Sequence, residues 1–244
     1  MMYTLSKTFI CRRSNTCGAF AFLCFHVFIF FTFPTHGDQK SVSDTIYLNV
    51  PSGKSITLQT QISETGSFQT TYEKTGDGNL IFNPMQGESA GANTYAGNTY
   101  ISGGTLSLQT DASLPLNTVL YLNKGTLAIV GSTLTLTQKV NVAAASAINS
   151  NGNVIYLNGA VADNGFPLTL QGGGTVSFGG SNTLTGGLYI GDGTAPTTLI
   201  LQGASVIGSN PLYVRGPRCI WGQTKTETQC IPCPFPGTSA TLQV

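Results

Sequence analysis

From residue 40 onward, apolar and polar positions alternate in short runs. Thr105-Leu106-Ser107-Leu108, Thr126-Leu127-Ala128-Ile129, Thr133-Leu134-Thr135-Leu136-Thr137 and Pro167-Leu168-Thr169-Leu170 each set leucine or isoleucine against Thr, Ser or Ala. A period of two sends successive side chains to opposite faces, so each run predicts a half-buried strand. Thr, Val and Ile suit such a pleated surface. Between the runs stand Gly103-Gly104, Asn123-Lys124-Gly125, Asn151-Gly152-Asn153, Gly172-Gly173-Gly174 and Gly191-Asp192-Gly193, residue types that supply the positive φ of turns. No stretch after residue 40 carries a convincing helical period. Val140 to Ile148 is Ala-rich, yet Val140 and Val142 alternate as a β coil would require. Short strands between such turns, spaced by ~8–12 residues, fit a sandwich, a barrel or a solenoid.

Internal similarity favours the solenoid. Thr57 to Gly66 aligns with Tyr156 to Gly165, Gly76 to Phe82 with Gly172 to Phe178, and Asn93-Thr94-Tyr95-Ala96-Gly97 with Asn182-Thr183-Leu184-Thr185-Gly186. Tyr100-Ile101 then falls on Tyr189-Ile190. The offset falls from 99 to 96 to 89, as it would between two copies that differ by loop insertions. Ten residues separate Phe82 from Asn93, and three separate Phe178 from Asn182. A coil of roughly 20–25 residues predicts about eight rungs over 41–216. At ~4.8 Å per rung the rod is on the order of 40 Å long.

The run Lys74-Thr75-Gly76-Asp77-Gly78-Asn79-Leu80-Ile81-Phe82, followed by Gly91-Ala92-Asn93-Thr94-Tyr95-Ala96-Gly97-Asn98-Thr99-Tyr100-Ile101-Ser102-Gly103-Gly104-Thr105-Leu106, resembles the passenger-associated strand repeat of autotransporters. The resemblance is specific over 74–108 and extends more loosely over about 55–208. Leu184 stands in the second copy where the pattern has tyrosine, and Leu134 to Phe178 is similar to the segment between repeats. It implies an all-β parallel β-helix exported to a cell surface, with an adhesive or structural role and no particular activity. Autotransporters end in a translocating barrel of at least about eight strands. Nothing after residue 208 reads as one, so the expectation is a fragment, a truncated product or a relative exported by other means.

Both ends differ from the body. Residues 1–37 begin with Lys7, Arg12 and Arg13 and continue with an uncharged run from Gly18 to Phe33, then Pro34-Thr35-His36-Gly37. This is the layout of a secretory signal peptide cleaved near Gly37, expected as a disordered or separate helix. The competing reading is a membrane anchor, though the run falls short of the ~20 residues needed to span. Residues 217–244 read as a short irregular Cys/Pro-rich tail. Cys230-Ile231-Pro232-Cys233-Pro234-Phe235-Pro236-Gly237-Thr238 resembles the opening of a small extracellular Cys-rich module. In that reading Cys219, Cys230 and Cys233 are half-cystines, and their odd number implies a further partner. A degenerate tail, or a redox or metal site, are the alternatives. Three cysteines without a histidine fall short of a zinc site.

Charge changes the picture by exclusion. Charged residues are 9% of 244, with Lys+Arg 11 against Asp+Glu 10. No basic surplus exists to neutralise phosphates, so nucleic acid is not an expected partner. Removal of 1–37 leaves eight bases against ten acids and takes away His26 and His36. Gly87-Glu88-Ser89-Ala90-Gly91 matches a nucleophile elbow by letter. It lacks the flanking strand and helix, and no histidine base follows it. Pro51-Ser52-Gly53-Lys54-Ser55 lacks the first glycine of a P-loop and reads as a turn. Asp77, Asp111, Asp163 and Asp192 are spread one per turn and read as solvated turn residues.

What remains is the insertion. Asn83, Pro84, Met85, Gln86, Gly87, Glu88, Ser89, Ala90 and Gly91 form the candidate contact loop, because insertions in coils project onto binding faces. The expected protein is a secreted or surface β-solenoid without catalysis or cofactor. Its partner would be a host-cell or matrix ligand, with self-association through coil edges and membrane contact only through the first segment. A β-helix enzyme acting on polysaccharide, or an inert remnant of a larger surface protein, are the alternatives.

Overall fold

The computed structural model describes residues 45–64, 69–85, 91–202 and 212–214. It adds the strand backbone of Thr4–Leu5, Ala21–Cys24, Val27–Phe30, Cys219–Trp221 and Ala240–Gln243. The described chain is a parallel β-solenoid of about 7 turns. It winds around three faces, always in the same order. The first face stacks Thr45–Asn49, Thr71–Thr75, Thr99–Ile101, Val119–Leu122, Lys139–Val142 and Val161–Ala162. The second stacks Ser55–Leu58, Asn79–Phe82, Thr105–Leu108, Thr126–Ile129, Ser146–Asn149, Leu168–Gln171, Leu188–Ile190 and Leu212–Val214. The third stacks Thr133–Leu136, Val154–Leu157, Thr175–Phe178 and Thr198–Leu201. Eight strands of the second face lie within 41–216, and Thr4–Leu5 adds a ninth beside Ser55–Leu58; the solenoid makes about 7 turns where about eight rungs were expected. Among the described residues the helical content is one 3-10 turn, Asp111–Ser113, and Val140 to Ile148 is strand and turn. No helix among them is long and apolar enough to cross a membrane.

Register explains why these sequences fold this way. Along the second face, Ile56, Leu80, Leu106, Leu127, Ile148, Leu170, Ile190 and Val214 lie in one column, each paired with the next. Leu134, Ile155, Val176 and Leu199 form the matching column on the third face. These columns point to the axis, and the residues from Leu106 to Ile190 and from Leu134 to Leu199 are fully enclosed. Each coil thus buries its apolar face on its neighbours, the way a solenoid compensates for the thinness of one coil. Outward columns carry Thr, Ser, Asn and Tyr. Like charges stacked every ~4.8 Å would repel, which accounts for the low charge.

Among the described residues, the first coils have no strand on the third face before Thr133. Residues 59–64, 83–85 and 109–118 lie where that strand would be. The two copies therefore occupy different faces. Asn79–Phe82 lies on the second face and its counterpart Thr175–Phe178 on the third; Thr99–Ile101 lies on the first and its counterpart Leu188–Ile190 on the second. The second copy is the first rotated by one face about the axis. A pattern set by local turns and inward–outward alternation transfers between faces, because each face offers the same ladder.

At both ends the structure describes only short strands. Where the apolar run was expected to be helical, Ala21–Cys24 and Val27–Phe30 pair antiparallel, and the second of them lies beside Thr45–Asn49. Phe, Val and Ile favour a pleated partner as readily as a helix. The cleavage position near Gly37 lies outside the described residues. In the tail, Ala240–Gln243 pairs with Thr198–Leu201 and with Cys219–Trp221, extending the third face. Thr241-Leu242 repeats the Thr198-Leu199 alternation, and the rest of the tail, apart from Cys219–Trp221, lies outside the described residues.

Candidate functional site

The candidate contact loop is anchored at both ends. Asn83 and Pro84 are buried, and the Asn83 amide donates to Leu58 O (2.9 Å). Gly91 N–H donates to Pro84 O (2.9 Å), which closes the loop. Its described exposed surface is Met85, 50% exposed, while Gln86, Gly87, Glu88, Ser89 and Ala90 lie outside the described residues. The letter match to a nucleophile elbow falls there too. Met85 edges a shallow groove of about 500 Å³ shared with Gln109–Ala112 and Gly131–Thr133. Of the candidate half-cystines, Cys219 is on the strand noted above; Cys230 and Cys233 lie outside the described residues.

The repeat motif itself builds a polar framework between coils, and both copies build the same one. Ile62 N–H donates to Asn93 Oδ1 (2.7 Å), and the aligned Val161 N–H donates to Asn182 Oδ1 (3.0 Å). Thr94 N–H donates to Ile62 O (2.9 Å), as Thr183 N–H does to Val161 O (2.8 Å). The acid of each copy reaches up one coil. Glu64 Oε2 accepts from Ala96 N–H (3.1 Å), and Asp163 Oδ1 accepts from Thr185 N–H (2.6 Å). Asp163 also accepts from Gly186 N–H (2.8 Å), Gly165 N–H (3.1 Å) and Thr185 Oγ1 (3.0 Å). It is fully buried, so the expectation of a solvated turn residue is corrected. An ionised carboxylate becomes tolerable inside a protein when its lone pairs are filled by donors. Of the other acids, Asp77, Asp111 and Asp192 are exposed, and Asp111 accepts from Thr135 N–H (2.6 Å). Partial burial of Asp192 opposes ionisation, but hydrogen bonds from Thr194 and Ala195 outweigh it and hold the carboxyl below the usual range.

Lys74 is the least expected residue of the motif. It points inward from Thr71–Thr75 and is 1% exposed. Its Nζ donates to Thr75 O (2.9 Å), Gly76 O (2.6 Å) and, on the next coil, Gly103 O (3.0 Å). The ammonium ties two successive corners together. Desolvation lowers its pKa to about 8, and the nearby Asp77 charge offsets part of that shift. Tyr95, also enclosed, bonds Thr99 Oγ1 through its hydroxyl (2.6 Å) and packs on Tyr72. Burial raises its pKa well above the ordinary tyrosine value. Leu184 fills the equivalent place in the second copy and is likewise buried.

Two outward tyrosine pairs were not anticipated. Tyr100 and Tyr121 stack at 4.4 Å on the first face, and Tyr189 and Tyr213 at 4.6 Å on the second. Burial raises the Tyr100 pKa, helped by Tyr121 and Glu73. Each pair is one ladder contact in direct register. The signal was present in the sequence as two tyrosines one coil apart, but only the register says which tyrosines share a column. Below Tyr189 a groove of about 480 Å³ runs over the second face. Among the described residues, no three His, Cys, Asp or Glu side chains come together as a metal site requires.

Residues 73–108 match the family model of the passenger-associated-transport-repeat. No curated protein and no solved structure matches the chain. The matched stretch holds Lys74, the anchored loop, Asn93, Tyr95 and Gly97, the residues that join three successive coils. In this repeat and in its solenoid the chain is similar to autotransporter passengers.

Proposed function

For a passenger-like repeat protein built in this way, we propose a secreted or surface-displayed β-solenoid that acts structurally and as an adhesive, holding its outward faces towards partners outside the cell. The observation that carries this reading is the matched repeat at 73–108, seated in coils whose polar groups are spent on one another. Asn93, Asn182, Glu64 and Asp163 all bond backbone of neighbouring coils. Such groups hold a scaffold in register and leave its outer columns to vary. The first 37 residues direct export in this reading, and the three tail cysteines are oxidised, as suits an extracellular compartment.

The alternative of an enzyme acting on polysaccharide would need carboxylates facing a groove. Asp163 has its oxygens occupied by four donors and is enclosed, which supports the structural reading. The test is expression of the full chain with an epitope after Val244 in a host with its export pathway intact. The tag is expected in the medium or on intact cells, where added protease removes it. Recovery of the uncleaved chain solely inside the cells would overturn the proposal.

A further inference from the structure

We propose that the groove on the second face is a binding site for a neutral, pyranose-based glycan, with the Tyr189 ring as its stacking platform. The proposal deepens the adhesive reading above and rests on it. One outward column of the second face reads Thr126, Ala147, Thr169, Tyr189, Tyr213 on successive coils. Small side chains on three rungs are followed by two aromatic ones, so the surface steps up at Tyr189. The groove of about 480 Å³ lies against this step and is walled by Tyr189 over Thr169 and Ala147. From Thr126 to Tyr189 it spans about 14 Å along the axis at ~4.8 Å per rung, room for a short run of sugar rings.

The ring is set for stacking by its neighbour. Tyr213 lies one coil further on, with centroids 4.6 Å apart and planes 11° apart. That spacing is close to the rung spacing, so both ring planes lie across the axis. Tyr189 stacks on Tyr213, and its side chain borders the groove together with Thr169. A ring held flat by a second ring loses little freedom on binding. Gly187 places its backbone beside both rings; a Cβ there would meet the Tyr189 and Tyr213 ring edges at 3.6 and 3.5 Å.

The remaining lining selects the ligand class. Thr126, Thr169 and Gln171 offer hydroxyl and amide groups, and Lys124 is the one charged side chain among the lining residues. A protein partner would call for large apolar anchors in a dry pocket; here the lining holds none apart from the tyrosine. A polyanion would call for several cations. A sugar has an apolar C–H face for the ring and hydroxyls for the amide and hydroxyl groups around it, which is the mixture a small-ligand site uses.

The test uses the full chain in isothermal titration and NMR titration with cellohexaose, maltohexaose, mannohexaose and chitohexaose, and with heparin as the polyanion. Binding of at least one neutral oligosaccharide is expected, with shifts confined to the second face. Tyr189→Ala and Thr169→Arg are each expected to weaken it at least about tenfold, while Tyr189→Phe retains it. Tyr100→Ala, which breaks the equivalent pair on the first face, is expected to leave it unchanged. If none of the neutral oligosaccharides binds, if heparin alone does, or if Tyr189→Ala and Thr169→Arg bind like the parent, the inference is overturned. Surface display of the same chain, measured separately, would still stand in that case; loss of display would strike the adhesive reading itself.

Discussion

Several buried polar side chains of this solenoid are satisfied by the coil above or below, because one coil is a single chain thick. Asn93 illustrates this: its Oδ1 accepts from Ile62 N–H and its Nδ2 donates to Ser113 O (2.7 Å). Asn93→Ala leaves a buried donor and a buried acceptor unpaired, so a loss of about 2–5 kcal/mol is expected in the urea unfolding free energy. Gly97 and Gly186 act through space, not through conformation. A Cβ at Gly97 would lie 2.2 Å from Thr70 O, and one at Gly186 would lie 2.3 Å from Gly165 C. Lys74 gives a pH signature. Below pH 8 it is protonated in folded and unfolded chains alike. Between about 8 and 10.5 the unfolded chain binds more protons, so this residue makes stability rise with pH across that window. The slope should appear in unfolding free energies measured from pH 7 to 10.5 and should vanish in Lys74→Met.

At the scale of the strand, the inward columns carry the stability. Leu127 is fully buried between Leu106 and Ile148 in direct register. Leu127→Ala is expected to cost about 2–5 kcal/mol, since neighbouring rungs are tied to the ladder and cannot close the cavity. Thr135→Ala, on an outward position of the third face, is expected to change stability by less than about 0.5 kcal/mol. The difference in unfolding midpoint between the two variants checks both. The strands themselves were largely legible: Thr105–Leu108 and Thr126–Ile129 follow directly from alternation bounded by glycine. Alternation gave no address, however. Gly76 to Phe82 and Gly172 to Phe178 look alike, and only the winding puts one on the second face and the other on the third.

For the whole molecule, each coil meets its immediate neighbours, so stability is close to a sum over rungs and interfaces. The coils holding Thr126–Ile129, Val154–Leu157 and Leu168–Gln171 carry strands on all three faces and have coils on either side. Among the described residues, the coil of Ser55–Leu58 has no strand on the third face. Hydrogen exchange is therefore expected to be slowest at Leu127, Ile155 and Leu170 and to quicken towards Ile56, a gradient instead of one cooperative block. Uniform protection from Ile56 to Leu199 would contradict it.

The construction follows from the order of residues alone: strands of period two, turns of Gly and Asn, a coil of solenoid length and a repeat whose acid, asparagine and glycine recur in order. These are local or near-local matters of sterics and patterning, and they survive without knowledge of the fold. Which columns form depends on how the coils wind and stack. Tyr189 and Tyr213 become a stacked pair because twenty-odd residues of winding bring them to adjacent rungs. Asp163 looked like a turn residue because sequence shows its neighbours along the chain; its four donors come from a turn and from the next coil, and proximity across coils is set by register alone.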